Sequence, residues 1–208
     1  MNRYDNYKDC GISWIGEIPR HWEVRKLSGV IRFGKGLPIT KADLKSEGCP
    51  VISYGQIHSK QNVSIFLNKS LYCYVSPDFL KTNSKSILNK YDFAFADTSE
   101  DFDGSGNFVI NDTDDILFAG YHTIIVRLIN KDINPLYLAC FINSDGFRNQ
   151  IRSKVNGVKV FSISKGIIKS TFFLLPPLPE QRAIVDFLKS KTSKIDDYVA
   201  KRERERAA

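Results

Sequence analysis

The chain has 208 residues, 42% of them hydrophobic and 12% aromatic, and carries 30 Lys+Arg against 23 Asp+Glu, a formal charge of +7. This is enough apolar material for one sizeable core and excludes global disorder. No apolar run approaches the roughly 20 residues of a membrane span, no apolar stretch follows the charged start Met1-Asn2-Arg3, and Cys10, Cys49, Cys73 and Cys140 are scattered, so a reduced, cytoplasmic chain with no membrane partner is the expectation.

Short runs rich in β-branched and aromatic residues, bounded by Gly, Asn, Asp, Ser or Pro, predict strands at 27–33, 50–54, 71–75, 93–97, 107–110, 116–119, 123–128, 158–161 and 171–175. Between the first two, Thr40 with Asp43 reads as a capping box opening a short helix that Gly48 closes. Asn134-Pro135 caps a helix whose apolar face is Leu138, Phe141 and Ile142, and Asp145 opens another with Phe147 and Ile151 on one side. The strand-rich body with inserted helices predicts a mixed α+β fold. After Leu174-Leu175-Pro176-Pro177-Leu178, which must run extended, Pro179 serves as the first helical residue with Glu180 at the positive end of the helix dipole. Ile184, Phe187, Leu188, Ile195, Tyr198 and Val199 then recur at the spacing of a coiled-coil seam, with mixed charges between them. By periodicity alone, that stripe packs on its own domain or pairs with another helix.

Charge is unevenly distributed. Residues 91–126 hold no Lys or Arg but eight acids, from Asp92 to Asp115, so the remainder of the chain carries an excess of 15 positive charges. A basic balance of this kind points to nucleic acid on one face, while the acidic window reads as a solvated face.

Signs of catalysis are missing. His21, His58 and His122 lie far apart, and none has metal-ligand spacing with Cys or another His. Neither a Walker loop nor a dinucleotide fingerprint occurs, Gly104-Ser105-Gly106 lacks nucleophile-elbow spacing, and the Asn/Asp-Pro-Pro-aromatic tetrapeptide of adenine amino-methyltransferases is absent. The expectation is a chain with no catalytic residue, no metal and no cofactor of its own.

Two stretches carry a family resemblance. The first is Gly11-Ile12-Ser13-Trp14-Ile15-Gly16-Glu17-Ile18-Pro19, continuing through His21-Trp22-Glu23-Val24 to Lys26-Leu27; the second is Leu175-Pro176-Pro177-Leu178-Pro179-Glu180-Gln181-Arg182-Ala183-Ile184-Val185, continuing to Lys194-Ile195-Asp196. In this order and at this spacing they resemble the entry and exit motifs of one repeat of the specificity (S) subunits of type I restriction–modification systems. Gly120-Tyr121-His122-Thr123 and the descent from Ser164 into the proline run are also similar.

The resemblance implies a target recognition domain over 1–178, with its entry motif at 11–27, followed by a conserved-region helix over 179–208. It implies sequence-specific recognition of double-stranded DNA, one half of a bipartite target, in the cytoplasm of a prokaryote. Adenine methylation and cleavage, with S-adenosylmethionine, ATP and Mg²⁺, would belong to methyltransferase and restriction/translocase partner subunits. A complete family subunit holds two such domains and two helices, so this chain corresponds either to part of a longer subunit or to a half-subunit that pairs as a homodimer through Ile184, Phe187, Leu188, Ile195, Tyr198 and Val199. Trp14, Ile15, Ile18 and Trp22 are then expected in the core, anchoring the domain to the helix base. A non-catalytic DNA-binding regulator or protein–protein adaptor is the alternative.

The motifs identify no DNA-reading residue, so side-chain chemistry has to select candidates. Base edges and phosphates are met by basic, amide, hydroxyl and imidazole groups on loops. Outside the acidic window these are Lys35 and Lys41 beside a Gly-rich turn; Tyr54, Gln56, His58 and Lys60 after a predicted strand; Asn83, Ser84 and Lys85 in a polar basic loop; and Lys154, Lys159 and Ser162 around Gly157. Thr98 and Ser99, which end a strand inside the window, are weaker candidates.

Overall fold

The structure is a computed structural model that describes residues 4–207; the start Met1-Asn2-Arg3 and the final Ala208 lie outside the described residues. In chain order the strands are β1 (Tyr7–Asp9), β2 (Glu17–Pro19), β3 (Glu23–Lys26), β4 (Ile31–Lys35), β5 (Cys49–Ile52), β6 (Cys73–Val75), β7 (Phe93–Ala96), β8 (Thr98–Ser99), β9 (Phe108–Ile110), β10 (Phe118–Ala119), β11 (Thr123–Leu128), β12 (Phe161–Ser162) and β13 (Phe172–Leu175). The helices are α1 (Tyr54–Ile57), α2 (Phe79–Thr82), α3 (Pro135–Ile142), α4 (Asp145–Arg152), α5 (Lys165–Lys169) and α6 (Leu178–Ala207). The mixed α+β class and the long terminal helix match the reading of the sequence.

The centre is a four-stranded antiparallel sheet in the order β4-β11-β7-β9. Period-two alternation sorts its side chains onto two buried faces. Phe93, Phe95, Phe108, Ile110, Ile124 and Val126 pack with Leu138, Ile142, Phe147 and Ile151 of α3 and α4. The intervening Ala94, Ala96, Val109 and Ile125 meet Ile52, Ile57, Leu88 and Leu117. A smaller sheet, β10-β5-β6, covers a third cluster of Leu37, Ile39, Val51, Val75 and Phe118. Antiparallel pairing of β13 with β3 ties the proline-rich exit to the entry segment.

Several local expectations shift. Residues 27–29 form a 3-10 turn because the Leu27 N–H bonds to Thr171 O, so the strand expected over 27–33 starts at Ile31 and runs to Lys35. The Thr40–Asp43 box forms, with Asp43 Oδ2 accepting the Thr40 N–H at 2.7 Å, but it caps only the 3-10 turn Lys41–Asp43. Lys45 N–H then bonds to Tyr74 O, which draws the chain into extended structure before Gly48 is reached. Tyr54 is helical because Ser53 and Gln56 form a capping box. Val158 is not in a strand: Gly157 makes a tight turn, Val158 is 95% exposed, and pairing with β8 begins only at Phe161.

The entry motif is partly corrected. Ile18 is buried, while Ile15 and Trp22 are half-buried. Trp14 is 44% exposed and lies on the surface, with its ring 6.5 Å from that of Phe141 and tight against Gly146, where any Cβ would clash with it.

Candidate nucleic-acid interface

A cleft opens where β4 ends and β11 begins. The end of β4 carries Lys35 and the start of β11 carries Thr123, while Arg32 and Arg127 pair across the same two strands further along. The chain crosses closely here: a Cβ on Gly36 would stand 1.9 Å from Gly120 O, so only glycine fits. Thr123 is buried and donates its hydroxyl to Gly120 O at 2.7 Å, closing the turn that carries His122.

One hollow of about 600 Å³ is lined by Lys35, Asp97, Thr98, His122, Ser162, Ser164 and Lys165. A neighbouring one of about 770 Å³ is lined by Arg32, Phe33, Lys35, Asn83, Lys85, Arg127 and Lys165. Lys35 and Lys165 belong to both, so the two form one basic trough. Lys165 and Lys169 stand over the Phe33 ring at 5.9 and 5.7 Å. That places two ammonium groups of α5 against β4.

Arg127 organises one wall. Its Nε donates to Asp92 Oδ2 at 2.9 Å, and its Nη2 donates to Lys85 O and Ile87 O at 3.1 and 2.7 Å. The guanidinium thus holds the backbone of the 83–87 loop and leaves Lys85 exposed. Burial pushes the Asp92 carboxyl above its ordinary value, opposed by the Asn89 N–H and by Arg127.

On the other wall His122 Nδ1 lies 3.1 Å from Asp97 Oδ1, which also accepts from the Thr98 hydroxyl at 2.8 Å. The His122 ring is 5.3 Å from Tyr54 and 6.0 Å from Tyr121, edge to face. Of the acidic window, only Asp97 lines the trough. Asp114 and Asp115 pair with Lys90 and Lys69, at 2.6 and 3.4 Å.

The sequence-selected residues divide accordingly. Lys35, Asn83, Lys85 and Ser162 line the trough, Ser84 is exposed on the same loop, and Tyr54 borders it through His122. Gln56 is engaged elsewhere, accepting the Ser53 N–H at 2.9 Å and donating to Cys73 Sγ at 3.2 Å. His58 has both ring nitrogens occupied, by Thr98 O and the Asn107 amide, each at 2.9 Å. Lys154 donates to Ser170 Oγ at 2.7 Å. Lys41, Lys60 and Lys159 are exposed but do not line the trough.

Arg32, His122, Ser164 and Lys165 were missed by the sequence reading. Arg32 sits inside a predicted strand and Lys165 opens a helix that the sequence reading does not place, although Ser164 does carry the signature of a cap, accepting the Ile167 N–H. Among the described residues, no group of three His, Cys, Asp or Glu could hold a metal ion, and no helix is long and apolar enough to cross a membrane.

The base of α6 is a second constellation. Glu180 accepts from Tyr4 Oη at 2.7 Å and Trp22 Nε1 at 2.9 Å, and contacts His21 Nε2 at 2.6 Å. Partial burial would raise the Glu180 carboxyl, but these hydrogen bonds outweigh it and hold it below its ordinary value. The same bond pushes the Tyr4 phenol up to about 12. Gln181 is fully buried: it accepts the Asn134 N–H at 2.7 Å and donates to Pro176 O and Asp132 O at 2.8 and 3.0 Å. The entry and exit motifs therefore meet at the helix base.

Val185 of α6 is buried against the domain, and Leu188, Lys189, Thr192 and Asp196 still line a hollow with Ile65, Phe66, Leu136 and Cys140. Ile184 is half-buried, whereas Phe187, Leu188, Ile195, Tyr198 and Val199 are 37–60% exposed. With 30 residues the helix is about 45 Å long. Phe187, Ile195, Tyr198 and Val199 are thus the exposed part of the stripe, while Ile184 and Leu188 are partly covered by the domain.

Comparison with known proteins follows this geometry. A family model described as "Type I restriction modification DNA specificity domain" matches residues 19–203. No curated protein matches the sequence. Among solved structures, a chain from work on complex assembly and conformational transition of the type I R-M system superposes with a TM-score of 0.62 at 16% identity, covering 87% of this chain and 40% of that one. The HsdS subunit from Thermoanaerobacter tengcongensis gives 0.60 at 14%, covering 92% and 41%. The S subunit of the type I restriction-modification system from M. genitalium gives 0.59 at 15%, covering 96% and 43%. At these identities the likeness is one of fold, and the chain spans about two fifths of each structure's length.

Proposed function

The chain belongs to the type I restriction modification DNA specificity domain family, and from that membership we propose that it reads a short sequence in double-stranded DNA through the basic trough, as one half of a bipartite recognition unit. In this reading residues 1–178 are the target recognition domain and 179–208 the connecting helix. The chain performs no catalysis; methylation of adenine and cleavage are carried out by methyltransferase and restriction/translocase subunits in a prokaryotic cytoplasm, which supply S-adenosylmethionine, ATP and Mg²⁺.

The observation that carries the proposal is the convergence of Arg32, Lys35, Lys85 and Lys165 on one trough with Asn83, His122 and Ser162. Cations hold phosphates without regard to sequence; amide, imidazole and hydroxyl groups discriminate base edges. A trough that offers both can position a duplex and interrogate it. The exposed stripe of α6 supports a partner helix, either from a second recognition unit or from the methyltransferase, because apolar side chains at coiled-coil spacing are buried by pairing.

The test is the salt dependence of duplex binding by fluorescence anisotropy. Lys35→Glu with Lys165→Glu weakens binding and lowers the slope of log K against log salt by about 1 per lost phosphate contact. The reversals Lys41→Glu and Lys60→Glu, outside the trough, have smaller effects. Equal effects of the two pairs would refute the assigned face.

A further inference from the structure

His122 has a conformation that its surroundings impose and that its backbone alone disfavours. Its φ is +53°, one of two positive values among non-glycine residues in the described structure. A left-handed β-carbon-bearing residue costs free energy and persists only where neighbours over-determine it, as at binding and catalytic sites. The neighbours are identifiable. Thr123, next in sequence, is locked into Gly120 O and paired with Ala96 in the central sheet, and the Asp97 N–H donates to His122 O at 3.1 Å.

The side chain is held as firmly as the backbone. Nδ1 faces the Asp97 carboxylate at 3.1 Å, and Tyr54 and Tyr121 flank the ring edge to face. Yet 56% of the side chain remains accessible, within the lining of the trough. Structural histidines lose their ring atoms to the interior, as His58 does by spending both nitrogens on Thr98 O and Asn107. His122 spends one nitrogen and leaves the other free. In the neutral ring, an Asp97 carboxylate at Nδ1 selects the Nδ1–H tautomer, so Nε2 becomes a fixed acceptor.

We propose that His122 is a specificity-determining residue of the trough, and that its Nε2 accepts a hydrogen bond from an exocyclic amino group, adenine N6 or cytosine N4, on a base edge in the major groove. Those amines are the donors the major groove presents, and a rigid acceptor set between cations distinguishes them from thymine and guanine, which present oxygen at the corresponding positions. Asp97 acts through His122 as a positioning residue. The inference rests on the trough being the duplex-binding surface.

The preferred sequence is first selected from a randomised duplex library with the wild-type chain; affinity is then measured for that duplex and for a scrambled one. His122→Ala lowers affinity for the selected duplex roughly ten- to a hundred-fold, the value of a lost base contact. Affinity for the scrambled duplex and its salt slope stay unchanged, because no phosphate contact is lost. His122→Asn, which tolerates the left-handed backbone, keeps the melting temperature and alters the base preferred at one position. Asp97→Asn reduces discrimination at that same position. If His122→Ala and His122→Asn retain the full preference of the wild type, the inference is wrong while the proposed function stands. If the wild-type chain selects no sequence at all, the proposed function itself fails and this inference fails with it.

Discussion

Replacing Gln181 with leucine removes three of the hydrogen bonds at the base of the terminal helix while nearly conserving volume. The amide makes three hydrogen bonds from a fully buried position. Asp132 is exposed, so its carbonyl regains water on loss of the amide; Pro176 is buried and Asn134 half-buried, so their O and N–H groups are stranded. A stranded buried polar group costs about 1–3 kcal/mol, which gives a total of about 3 kcal/mol when the part-exposed Asn134 is discounted. For a domain of this size that lowers the melting temperature by about 6–12 °C. The control is Arg182→Gln, one residue along on the exposed face, where a change within about 0.5 kcal/mol is expected. Both are read by differential scanning calorimetry. If Gln181→Leu melts within a degree or two of Arg182→Gln, the buried amide does not join helix to domain and the argument for the helix base is wrong.

Three further outcomes are expected. The double change Leu188→Asp and Ile195→Asp leaves the melting temperature of the domain intact and abolishes self-association or assembly with a methyltransferase subunit in sedimentation velocity; unfolding of the domain would instead show that the stripe packs on its own chain. Gly36→Ala forces the backbone away from Gly120 O and costs several kcal/mol, on the order of the largest single-site effects, visible as a lower urea midpoint; an unmoved midpoint contradicts the close crossing. Because the Glu180 carboxyl is held below its ordinary value, the folded chain binds that proton less readily than the unfolded one, so the stabilisation is present above the ordinary carboxylate range and fades as pH falls through the lowered folded value. Urea melts at about pH 7 and pH 3 should therefore show a larger acid loss for wild type than for Glu180→Gln, and equal losses would overturn the assignment.

Much of this architecture was readable from residue order. The central strands announce themselves because both sheet faces are buried, giving runs such as Phe93-Ala94-Phe95-Ala96 and Thr123-Ile124-Ile125-Val126. α3 follows from its cap, since the Asn134 side chain does accept the Leu136 and Tyr137 N–H groups, and α4 does begin at Asp145, although the side chain that caps it is that of the preceding Ser144, which accepts the Phe147 N–H. The short pieces were not readable. Thr40 and Asp43 form their box whether one turn follows or three, and the pull of Tyr74 O on Lys45 is a tertiary contact that no local pattern encodes.

The trough was legible only in part for the same reason. Lys35 and Ser162 at strand ends and Asn83 and Lys85 between elements have the right chemistry, but Gln56, His58 and Lys154 have that chemistry too and spend it on Ser53, Thr98 and Ser170. Composition says which side chains could bind; only the fold says which are already bound. His122 went the other way, because its distinguishing feature is a backbone angle.

The measurement that bears most directly on the central claim is selection of duplexes from a randomised library by the chain alone, with competition against bulk genomic DNA. The account predicts enrichment of one short contiguous motif, bound more tightly than scrambled duplex, with the preference lost in a variant that combines Lys85→Glu with His122→Ala. Enrichment of no motif, with uniform binding that depends only on salt, would contradict it.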